Sequence, residues 1–589
     1  MPFSATLSRW SLQDLFPDPV DPAVETALKE LEGFVAELEA LRPSMTAGIF
    51  DETFLKILST LEAINILMHR VEAYSSLWCA EDTQNEAALN LRDRLDRSLV
   101  DLGNRVLFFE IWFKDLPEEV AARLIAGSGD MKYALESIRR FKPYTLSEVE
   151  EKLLNLKDVN GIDALVNLYE MITNHFTFSL DVDGEKKSLT RDRLSSYFYN
   201  ASADIRRAAY QELYRVYDEN STILAQIYSH RVRDWHAEGM ELRGYASPIS
   251  ARNVGNDLPD QVVETLLSVC RKNAGIFQNY FRLKAGWLGL KKLRRYDIYA
   301  PLAASDKQYS FTQAAEMVLE SYREFSPQVA GLAERVFAEN HLDSQGRPGK
   351  RGGAFCYAVI PGLTPWVMIN YNGRARDVAT LAHELGHAVH AMLAAGHSVN
   401  TFHSSLPLAE TASVFAEMQL TQRLLRQEKD PAVRRDMLAY AIDDAYVTVM
   451  RQAYFTIFER DAHRLIVEGR SFDEVSTAYM ANLQEQFGDA VELTDEFKWE
   501  WISVPHIYNA PFYTYAYSFG QLLVLALYQQ YRLEGAAFIP RYLKILAHGG
   551  SEAPAGILRE AGLEIDTPAF WQGGFDVIGG MIKELVDLA

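Results

Sequence analysis

The chain has 589 residues, of which 48% are hydrophobic and 12% aromatic, enough for an extensive buried core. Its 59 basic and 80 acidic residues give a formal net charge of −21, which disfavours binding to nucleic acid or to an anionic membrane. No apolar run approaches the roughly 18 residues that a membrane-spanning helix requires, so we expect neither class of partner.

The N-terminus and the cysteines indicate a cellular compartment. The first ten residues lack a charged start followed by an apolar core, so they do not resemble a secretory signal peptide. The three cysteines, Cys79, Cys270 and Cys356, form no C-x-x-C pair, and so sparse a set is typical of a reducing compartment. The sequence therefore predicts a cytoplasmic protein.

From the N-terminus onwards, apolar residues recur with a helical period of about 3.6 residues. The longest such stretches are 21–41, 53–77, 86–113 and 259–285. The pattern breaks near 177–188, where a short strand-like run meets Asp183-Gly184, a hairpin signal. We therefore place an N-terminal helical lobe at 1–185 and a second domain at 186–589.

Two glycine-rich segments and a short apolar run stand out in the second domain. The run at 366–371 alternates weakly and ends at an Asn-Gly turn signal, which predicts a β-strand. The segment 343–353 is rich in glycine and basic residues and is either a plain loop or a mobile element beside a site. The segment 548–551 allows the same two interpretations.

The segment 375–395 predicts an amphipathic helix that carries His383, Glu384 and His387 in an H-E-x-x-H pattern. At about 100° per residue, one side gathers the apolar residues that we expect to face the core. They are Val378, Leu381, Ala382, Leu385, Val389 and Met392. His383, His387 and His390 lie on the opposite side, towards a cleft or solvent. Because two imidazoles one turn apart can bind one metal ion, the pattern predicts a zinc site.

A catalytic zinc ion needs a third protein ligand and keeps a fourth position open. Glu410 is the best candidate, because a serine and a proline at 405–407 indicate a new helix with Glu410 in its early turns. Glu417, two turns further on, either supports one of these ligands or is a solvated helix residue. His390 lies about 10 Å along the axis from His383, so we interpret it as supporting a ligand or lining the groove.

Aromatic residues are concentrated at 506–519. Those at 508, 512, 515 and 519 repeat with helical spacing, whereas those at 513, 515, 517 and 519 alternate as in a strand. The apolar run at 522–527 favours one long helix that begins near Pro511. By itself this pattern is typical of a buried aromatic stripe.

Taken together, these residues resemble the M3 family of zinc metallopeptidases, and most of all its oligoendopeptidase F branch. The specific parts are the histidine motif at 383–390 with Ala-Glu-Thr-Ala-Ser at 409–413, and the His/Tyr segment at 506–517. The segments 10–17, 352–356 and 365–373 resemble further parts of that branch. The resemblance covers nearly the whole chain.

The resemblance implies a mostly α-helical, zincin-like fold: a two-lobed body with a deep central channel and a small β-sheet beside the metal helix. Such a channel would admit short unfolded peptides and exclude folded proteins. The implied activity is that of a zinc oligoendopeptidase, with 186–589 as the catalytic domain. One zinc ion held by His383, His387 and Glu410 would activate water, and Glu384 would be the general base.

The resemblance also implies residues that contact the substrate. His506 and Tyr515 would donate hydrogen bonds to the oxyanion, and Tyr508 would help to hold the peptide. Gly353 and Ala354 belong to the strand region that lines the cleft. The strand at 366–371 is either an exposed edge that pairs with the peptide backbone or an ordinary internal strand.

Two other functions remain open from the sequence. A zinc exopeptidase, of carboxypeptidase or dipeptidyl carboxypeptidase type, would share the chemistry but recognise a free peptide terminus. A non-catalytic peptide-binding protein would saturate its metal with four ligands or bind none, whereas the sequence offers three candidates. The sequence gives no indication of oligomeric state.

Overall fold

The computed structural model describes residues 5–17, 22–182, 184–302 and 308–588. Most of them are helical, which confirms the predicted fold class. In chain order the α-helices are α1 (Pro22–Leu41), α2 (Asp51–Glu81), α3 (Glu86–Val106), α4 (Phe108–Asp115), α5 (Glu118–Ala126), α6 (Lys132–Arg140), α7 (Glu148–Asn160), α8 (Ile162–Asn174), α9 (Arg191–Ser196), α10 (Ala203–Glu219), α11 (Ser221–His236), α12 (Pro248–Gly255), α13 (Asp260–Lys272), α14 (Ala274–Trp287), α15 (Phe311–Phe325), α16 (Pro327–Ala338), α17 (Ala375–Leu393), α18 (Leu406–Ala409), α19 (Thr411–Gln427), α20 (Pro431–Ala445), α21 (Arg451–Val467), α22 (Phe472–Phe487), α23 (Pro505–Asn509), α24 (Tyr515–Glu534), α25 (Ile539–Ala547), α26 (Pro554–Glu560) and α27 (Pro568–Asp587). In the part of the chain that the structure describes, no helix is both long and apolar enough to cross a membrane.

Three predicted helices have different bounds in the structure. The stretch 86–113 forms α3 and α4, and the stretch 259–285 forms α13 and α14. Asn273 ends α13, because its side-chain amide donates to the Val269 carbonyl at 2.9 Å and competes with the helical backbone. The helix expected from Pro511 begins only at Tyr515, since Phe512 adopts a left-handed φ of 58°.

The strands form three small sheets among the described residues. β1 (Phe178–Val182) and β2 (Glu185–Leu189) pair antiparallel, which confirms the predicted hairpin, although Asp183 of its turn lies outside the described residues. β3 (Leu293–Arg294) pairs in parallel with β7 (Val491–Glu492). In the third sheet, β6 (Trp366–Met368) runs parallel to β4 (Leu342–Asp343) and antiparallel to β5 (Phe355–Tyr357).

The strand predicted at 366–371 is therefore confirmed over its first three residues, and its position in the sheet is now fixed. It is the central strand, with β4 and β5 on its two sides. All three of its residues are fully buried. The edge-strand interpretation is wrong for this segment, and β4 and β5 are the two edge strands of this sheet.

The chain divides into two compact units, each built from three stretches. Unit 1 comprises 1–142, 306–427 and 530–564, and unit 2 comprises 143–305, 428–529 and 565–589. The boundary expected between 185 and 186 lies inside unit 2, within β2. The division into an N-terminal lobe and a catalytic domain stays a prediction.

In unit 1, α17 is the central helix. It packs against α15, α16, α19 and α25, and against β5 and β6 of the three-stranded sheet. The sheet is anchored by Trp366, which is fully buried and stacks on His341 with ring centroids 4.0 Å apart. The prediction of a small sheet beside the motif helix is confirmed.

The segment 343–353 is tied down by the buried ammonium group of Lys350. Its Nζ donates to the carbonyl oxygens of Asp343, Gln345 and Ile369 at 3.1, 3.3 and 2.7 Å, and lies 2.8 Å from the Asp343 carboxylate. Asn370 fixes the end of the segment by donating to the Gly353 carbonyl at 2.9 Å. These bonds favour the plain-loop interpretation over that of a mobile element.

The segment 548–551 is also fixed by its neighbours. Gly550 donates its backbone N–H to the Thr401 carbonyl at 2.8 Å. A Cβ at Gly549 or Gly550 would collide with the carbonyl oxygens of Phe402 and His403. The glycines thus let two loops of unit 1 pack backbone to backbone.

Unit 2 is a helical body that buries arginine–carboxylate pairs. Arg206 and Asp297 lie 2.7 Å apart, and Arg295 and Glu500 lie 2.6 Å apart, with all four side chains at most 3% exposed. Removing one partner of such a pair leaves an uncompensated buried charge, so these pairs restrict how the helices of unit 2 can pack.

Candidate metal centre and active site

The sequence motif folds as predicted on α17. The helix starts at Ala375, where the Asp377 carboxylate accepts the backbone N–H groups of Asn372 and Arg374 at 2.8 and 3.1 Å. Its apolar face is buried, except that Met392 is half-buried. His383 and His387 project from the other face, and their rings lie 4.8 Å apart.

A glycine in the motif brings the next helix unusually close. A Cβ at Gly386 would lie 2.7 Å from Ser413 Cα and 2.8 Å from the Ala412 carbonyl oxygen. Because real Cβ atoms do not approach so closely, only glycine lets the start of α19 rest on α17 at this level. The contact places Glu410, the residue before α19, beside the two histidines.

Glu410 occupies a different place in its helix from the one expected. A short helix, α18, starts at the predicted serine and proline and ends at Ala409, and α19 begins at Thr411. Glu410 therefore sits at the break between two helices rather than inside an early turn. Ser413 fixes its carboxylate by donating from Oγ at 2.7 Å.

The three predicted ligands converge. His383 Nε2 and His387 Nε2 lie 3.2 Å apart, and they lie 3.3 and 3.4 Å from Glu410 Oε2. A tetrahedral ion with ligands at about 2.0–2.1 Å has donor atoms about 3.3–3.4 Å apart, so this donor set fits a zinc ion. Among the described residues it is the one group of three such side chains close enough to hold a metal.

Two further residues support the triad. Glu417 accepts a hydrogen bond from His383 Nδ1 at 2.5 Å, which orients the ring and leaves Nε2 directed at the other ligands. His390 is buried, lines the same cavity and hydrogen-bonds the backbone of Ala409, next to Glu410. Both residues thus take the supporting positions that the sequence left open.

The electrostatics of the triad reflect strong mutual attraction. Burial opposes a charged imidazole, but hydrogen bonds to Glu410 and Glu417 raise the pKa of His383 to about 10. Burial would raise the pKa of Glu410, yet its bonds to His383 and His387 hold that pKa well below the usual range. The negative carboxylates therefore stabilise positive charge at this position, whether it is carried by a protonated His383 or by a metal ion.

Glu384 lies between the two histidines in sequence and is 7% exposed. Burial raises the pKa of its carboxyl group, although the neighbouring histidines lower it. A carboxylate whose pKa is shifted towards neutrality is suited to accept and return a proton.

The triad and Glu384 line a cavity of about 700 Å³ in unit 1. One wall is formed by β5 and its two flanking residues, Ala354 and Ala358, and another by residues of α2 and of the loop after α17. Ala354 thus lies where the sequence predicts a substrate contact. Gly353, one residue earlier, is exposed, and its carbonyl accepts a hydrogen bond from Asn370.

The predicted His/Tyr residues belong to unit 2. His506 is half-buried, and its Nε2 lies 3.3 Å from Tyr517 Oη. Its ring is parallel to that of Tyr513, with centroids 6.3 Å apart. Burial lowers the pKa of His506, which favours a neutral ring that can donate one hydrogen bond.

Tyr508 and Tyr515 differ from expectation because both are fully buried. Tyr508 Oη donates to the carbonyl oxygen of Leu224 at 3.3 Å, and Tyr515 Oη accepts from Asn256 Nδ2 at 2.8 Å. In this conformation neither hydroxyl is presented to a substrate. The substrate-contacting role predicted for them therefore requires a rearrangement, since their hydroxyls are engaged in the core.

Three polar side chains, the half-buried Arg231 and Arg252 and the buried Glu459, hold the segment between His506 and Tyr517. Arg231 Nε donates to the Tyr508 carbonyl at 3.0 Å, and Arg252 Nε donates to the Pro511 carbonyl at 3.1 Å. Glu459 accepts the backbone N–H of Phe512 at 2.9 Å. These bonds stabilise the left-handed Phe512 and so set where the exposed aromatic rings lie.

Some cavity residues were missed by the sequence reasoning. His69 and Glu72 of α2, Tyr357 of β5 and His403 line the cavity but belong to no motif. The available signal was weak: a histidine and a glutamate three residues apart share one helix face, which is common in amphipathic helices.

Comparison with family models links the chain to peptidases. A model described as peptidase family M3 matches residues 196–577, and a model described as oligopeptidase F matches residues 112–178. The first match alone covers more than half of the chain.

Similar proteins span nearly the whole chain. Oligopeptidase PepF of Bacillus subtilis (strain 168) is 24% identical over 572 residues, covering 95% of this chain and 84% of that protein. The chromosomal oligoendopeptidase F of Lactococcus lactis subsp. cremoris is 24% identical over 590 residues, covering 98% and 97%.

Solved structures share the fold. A crystal structure from Chlamydophila abortus has a TM-score of 0.89 at 23% identity and covers 99% of this chain and 98% of its own. The oligoendopeptidase-F structure from Enterococcus faecium has a TM-score of 0.71 at 23% identity, with 96% and 98% covered. At this identity the structures establish the fold alone.

Gly386→Ala is expected to weaken metal binding about 10- to 100-fold, because the added methyl group pushes α19 and Glu410 away from the histidines. The measurement is zinc affinity by competition with a chromophoric chelator. Gly331→Ala is the matched control, since a Cβ at this helical glycine of unit 1 meets nothing within 4 Å. Equal affinity of the Gly386→Ala and wild-type proteins would contradict the close-contact argument.

Glu459→Gln is expected to stabilise the protein at alkaline pH. Burial raises the pKa of Glu459 to about 8, so its contribution to stability is full below the usual pKa of 4.5 and is lost as pH rises through about 8. Glutamine keeps an acceptor for the Phe512 N–H and does not ionise. Thermal unfolding should show a variant more stable than wild type at pH 9 and similar at pH 4.5; the same difference at both values would refute a protonation effect.

Proposed function

Because the chain belongs to peptidase family M3, we propose that it is a zinc-dependent oligoendopeptidase that hydrolyses internal bonds of short unfolded peptides. Membership makes it a metallopeptidase acting on peptides. The observation that supports the finer proposal is the His383–His387–Glu410 triad, which shares one cavity with Glu384 and the open edge of β5.

The proposed metal ligands are His383, His387 and Glu410, with one ion at the site. Zinc bound there would polarise the substrate carbonyl and lower the pKa of a coordinated water from about 15.7 to about 7. Glu417 holds the His383 ring through Nδ1, and Ser413 holds the Glu410 carboxylate. These bonds keep the ligand atoms in place before substrate arrives.

Glu384 is the proposed general base. It faces the cavity next to the two histidines but is absent from the group whose donor atoms converge. Its carboxylate takes the proton of the attacking water and later delivers it to the leaving amine. The raised pKa of the buried carboxyl group favours this second step, because the protonated acid is stable enough to act as a donor.

The substrate is proposed to bind along β5. One side of this strand is paired with β6 and the other is unpaired, and the residues from Ala354 to Ala358 line the cavity. An extended peptide can add to such an edge through backbone hydrogen bonds, which read the peptide without requiring particular side chains. Gly353 has a φ of +81°, and we propose that it allows the chain to turn just before β5 begins at Phe355.

His506 remains the proposed donor to the oxyanion, since its half-buried neutral imidazole carries an N–H group. Tyr515 and Tyr508 would take the roles predicted for them only if their hydroxyls left Asn256 and Leu224. A cytoplasmic location stays part of the proposal and is supported by the unpaired state of Cys79, Cys270 and Cys356.

Glu384→Gln is expected to retain metal and lose at least about a thousandfold in kcat/KM, because the amide cannot accept the proton of the water. Turnover of internally quenched peptides blocked at both termini gives the rate, and elemental analysis gives the metal content. Blocked peptides also exclude an exopeptidase, which needs a free terminus.

The matched control is Glu62→Gln, a glutamate of α2 that does not line the cavity and should leave both values unchanged. Substantial activity of Glu384→Gln with full metal content would refute the general-base role. Cleavage only of peptides with a free terminus would refute the endopeptidase proposal.

A further inference from the structure

The cavity extends from the metal triad to a second group of polar side chains, hereafter the α2 wall. It comprises His69 and Glu72 of α2, Tyr357 of β5 and His403 of the loop after α17. The rings of His69 and His403 lie 6.1 Å apart. The proposed mechanism uses none of these residues.

Glu72 is the one carboxylate of the α2 wall, and it lacks a cationic partner. Its side chain is exposed to the cavity, and no described cationic residue lies within ion-pair distance of it. Arg92, the arginine whose charge acts on Tyr357 together with Glu72, is itself 3.6 Å from Asp96 on its own helix. The negative charge of Glu72 is thus available to a ligand.

The other members of the α2 wall do not neutralise this charge. Burial lowers the pKa of His69, against the opposing effect of Glu72, and burial also lowers the pKa of His403. Burial raises the pKa of Tyr357 to about 12. At neutral pH the wall therefore offers two neutral imidazoles, one neutral phenol and one negative carboxylate.

A second metal ion does not account for this group. Among the described residues, the donor atoms of three metal-ligating side chains converge only at His383, His387 and Glu410. The α2 wall is instead wide and partly exposed, with rings on which an aliphatic chain can rest and a carboxylate that a cation can reach. A flexible chain that ends in an ammonium or guanidinium group fits this chemistry.

We propose that Glu72 is a specificity-determining residue that selects peptides carrying a cationic group, with the aliphatic part of that group resting on His69, Tyr357 and His403. This inference rests on the proposed function, because it names the peptides that the same cavity prefers. Both a lysine or arginine side chain and a free N-terminal ammonium group supply the cation. Peptides with an acidic residue at the same position are disfavoured by repulsion from Glu72.

The test uses internally quenched peptides with lysine, glutamine or glutamate at each position in turn, each with blocked termini and again with a free N-terminus. Wild type is expected to cleave the lysine peptide about five- to tenfold faster than the glutamine peptide at one position, measured as kcat/KM. Glu72→Gln should bring this ratio close to one, and Glu72→Lys should favour the glutamate peptide. Faster cleavage of the free form than of the blocked form of the same glutamine peptide, lost in Glu72→Gln, assigns the cation to the terminal ammonium group.

Glu62→Gln on the same helix is the matched control and should keep the wild-type ratio, since Glu62 does not line the cavity. A wild-type ratio of one, together with equal cleavage of free and blocked forms of the same peptide, overturns the inference. So does an unchanged ratio in Glu72→Gln, which would assign the preference to the net charge of the whole chain. Equal loss for all peptides in Glu72→Gln would show a structural role instead.

Binding separates this inference from the proposed function. Binding of the same peptides is measured by fluorescence anisotropy with the metal-replete Glu384→Gln variant, with and without Glu72→Gln. The measurement gives the ratio of the affinities for lysine and glutamine peptides in the absence of turnover. If wild type cleaves no peptide, the proposed function fails, yet tighter binding of lysine peptides that is lost with Glu72→Gln still supports the inference. Equal binding of lysine and glutamine peptides, and of free and blocked peptides, refutes it.

Discussion

The site depends on one close contact, the approach of α19 to α17 at Gly386. Because glycine has no Cβ, the backbone at Ala412 and Ser413 rests directly on the motif helix. The contact determines the position of Glu410. Further along α19, the carboxylate of Glu417 accepts a hydrogen bond from His383 Nδ1. The third residue of the triad and the support of the first are thus consequences of a single helix–helix spacing.

The same spacing concentrates charge. Glu384, Glu410 and Glu417 gather around His383 and His387, so three carboxylates face two imidazoles. Neutral imidazoles leave this group strongly negative, and a bound dication offsets most of that charge. The same carboxylates stabilise a proton on the His383 imidazole, and they therefore raise the pKa of His383. Metal affinity and a shifted pKa therefore have one electrostatic cause.

In each unit, polar contacts or close packing hold a segment of backbone in place. In unit 1, Lys350 fastens the loop that leads to β5, and the glycines at 549 and 550 fasten the loop that follows α17. In unit 2, Arg231, Arg252 and Glu459 hold the backbone around Phe512. Glycine-rich or aromatic segments that look mobile or merely apolar in sequence are thus fixed through their backbone, either by hydrogen bonds to polar side chains or by close packing against another loop.

The sequence by itself determined what depends on local spacing. The period of about 3.6 residues gave α17 and its two faces, and H-E-x-x-H gave two imidazoles one turn apart, because neighbours three and four residues apart on a helix always share a face. The tertiary structure decided what depends on contacts between distant parts of the chain. Glu410 lies at a break between two helices, and β5 rather than β6 is an edge strand. Tyr508 and Tyr515 are buried in the core. It also brought His69, Glu72 and His403 into the cavity of the triad. Such contacts join residues far apart in the chain, and their distances are set by packing rather than by any local repeat.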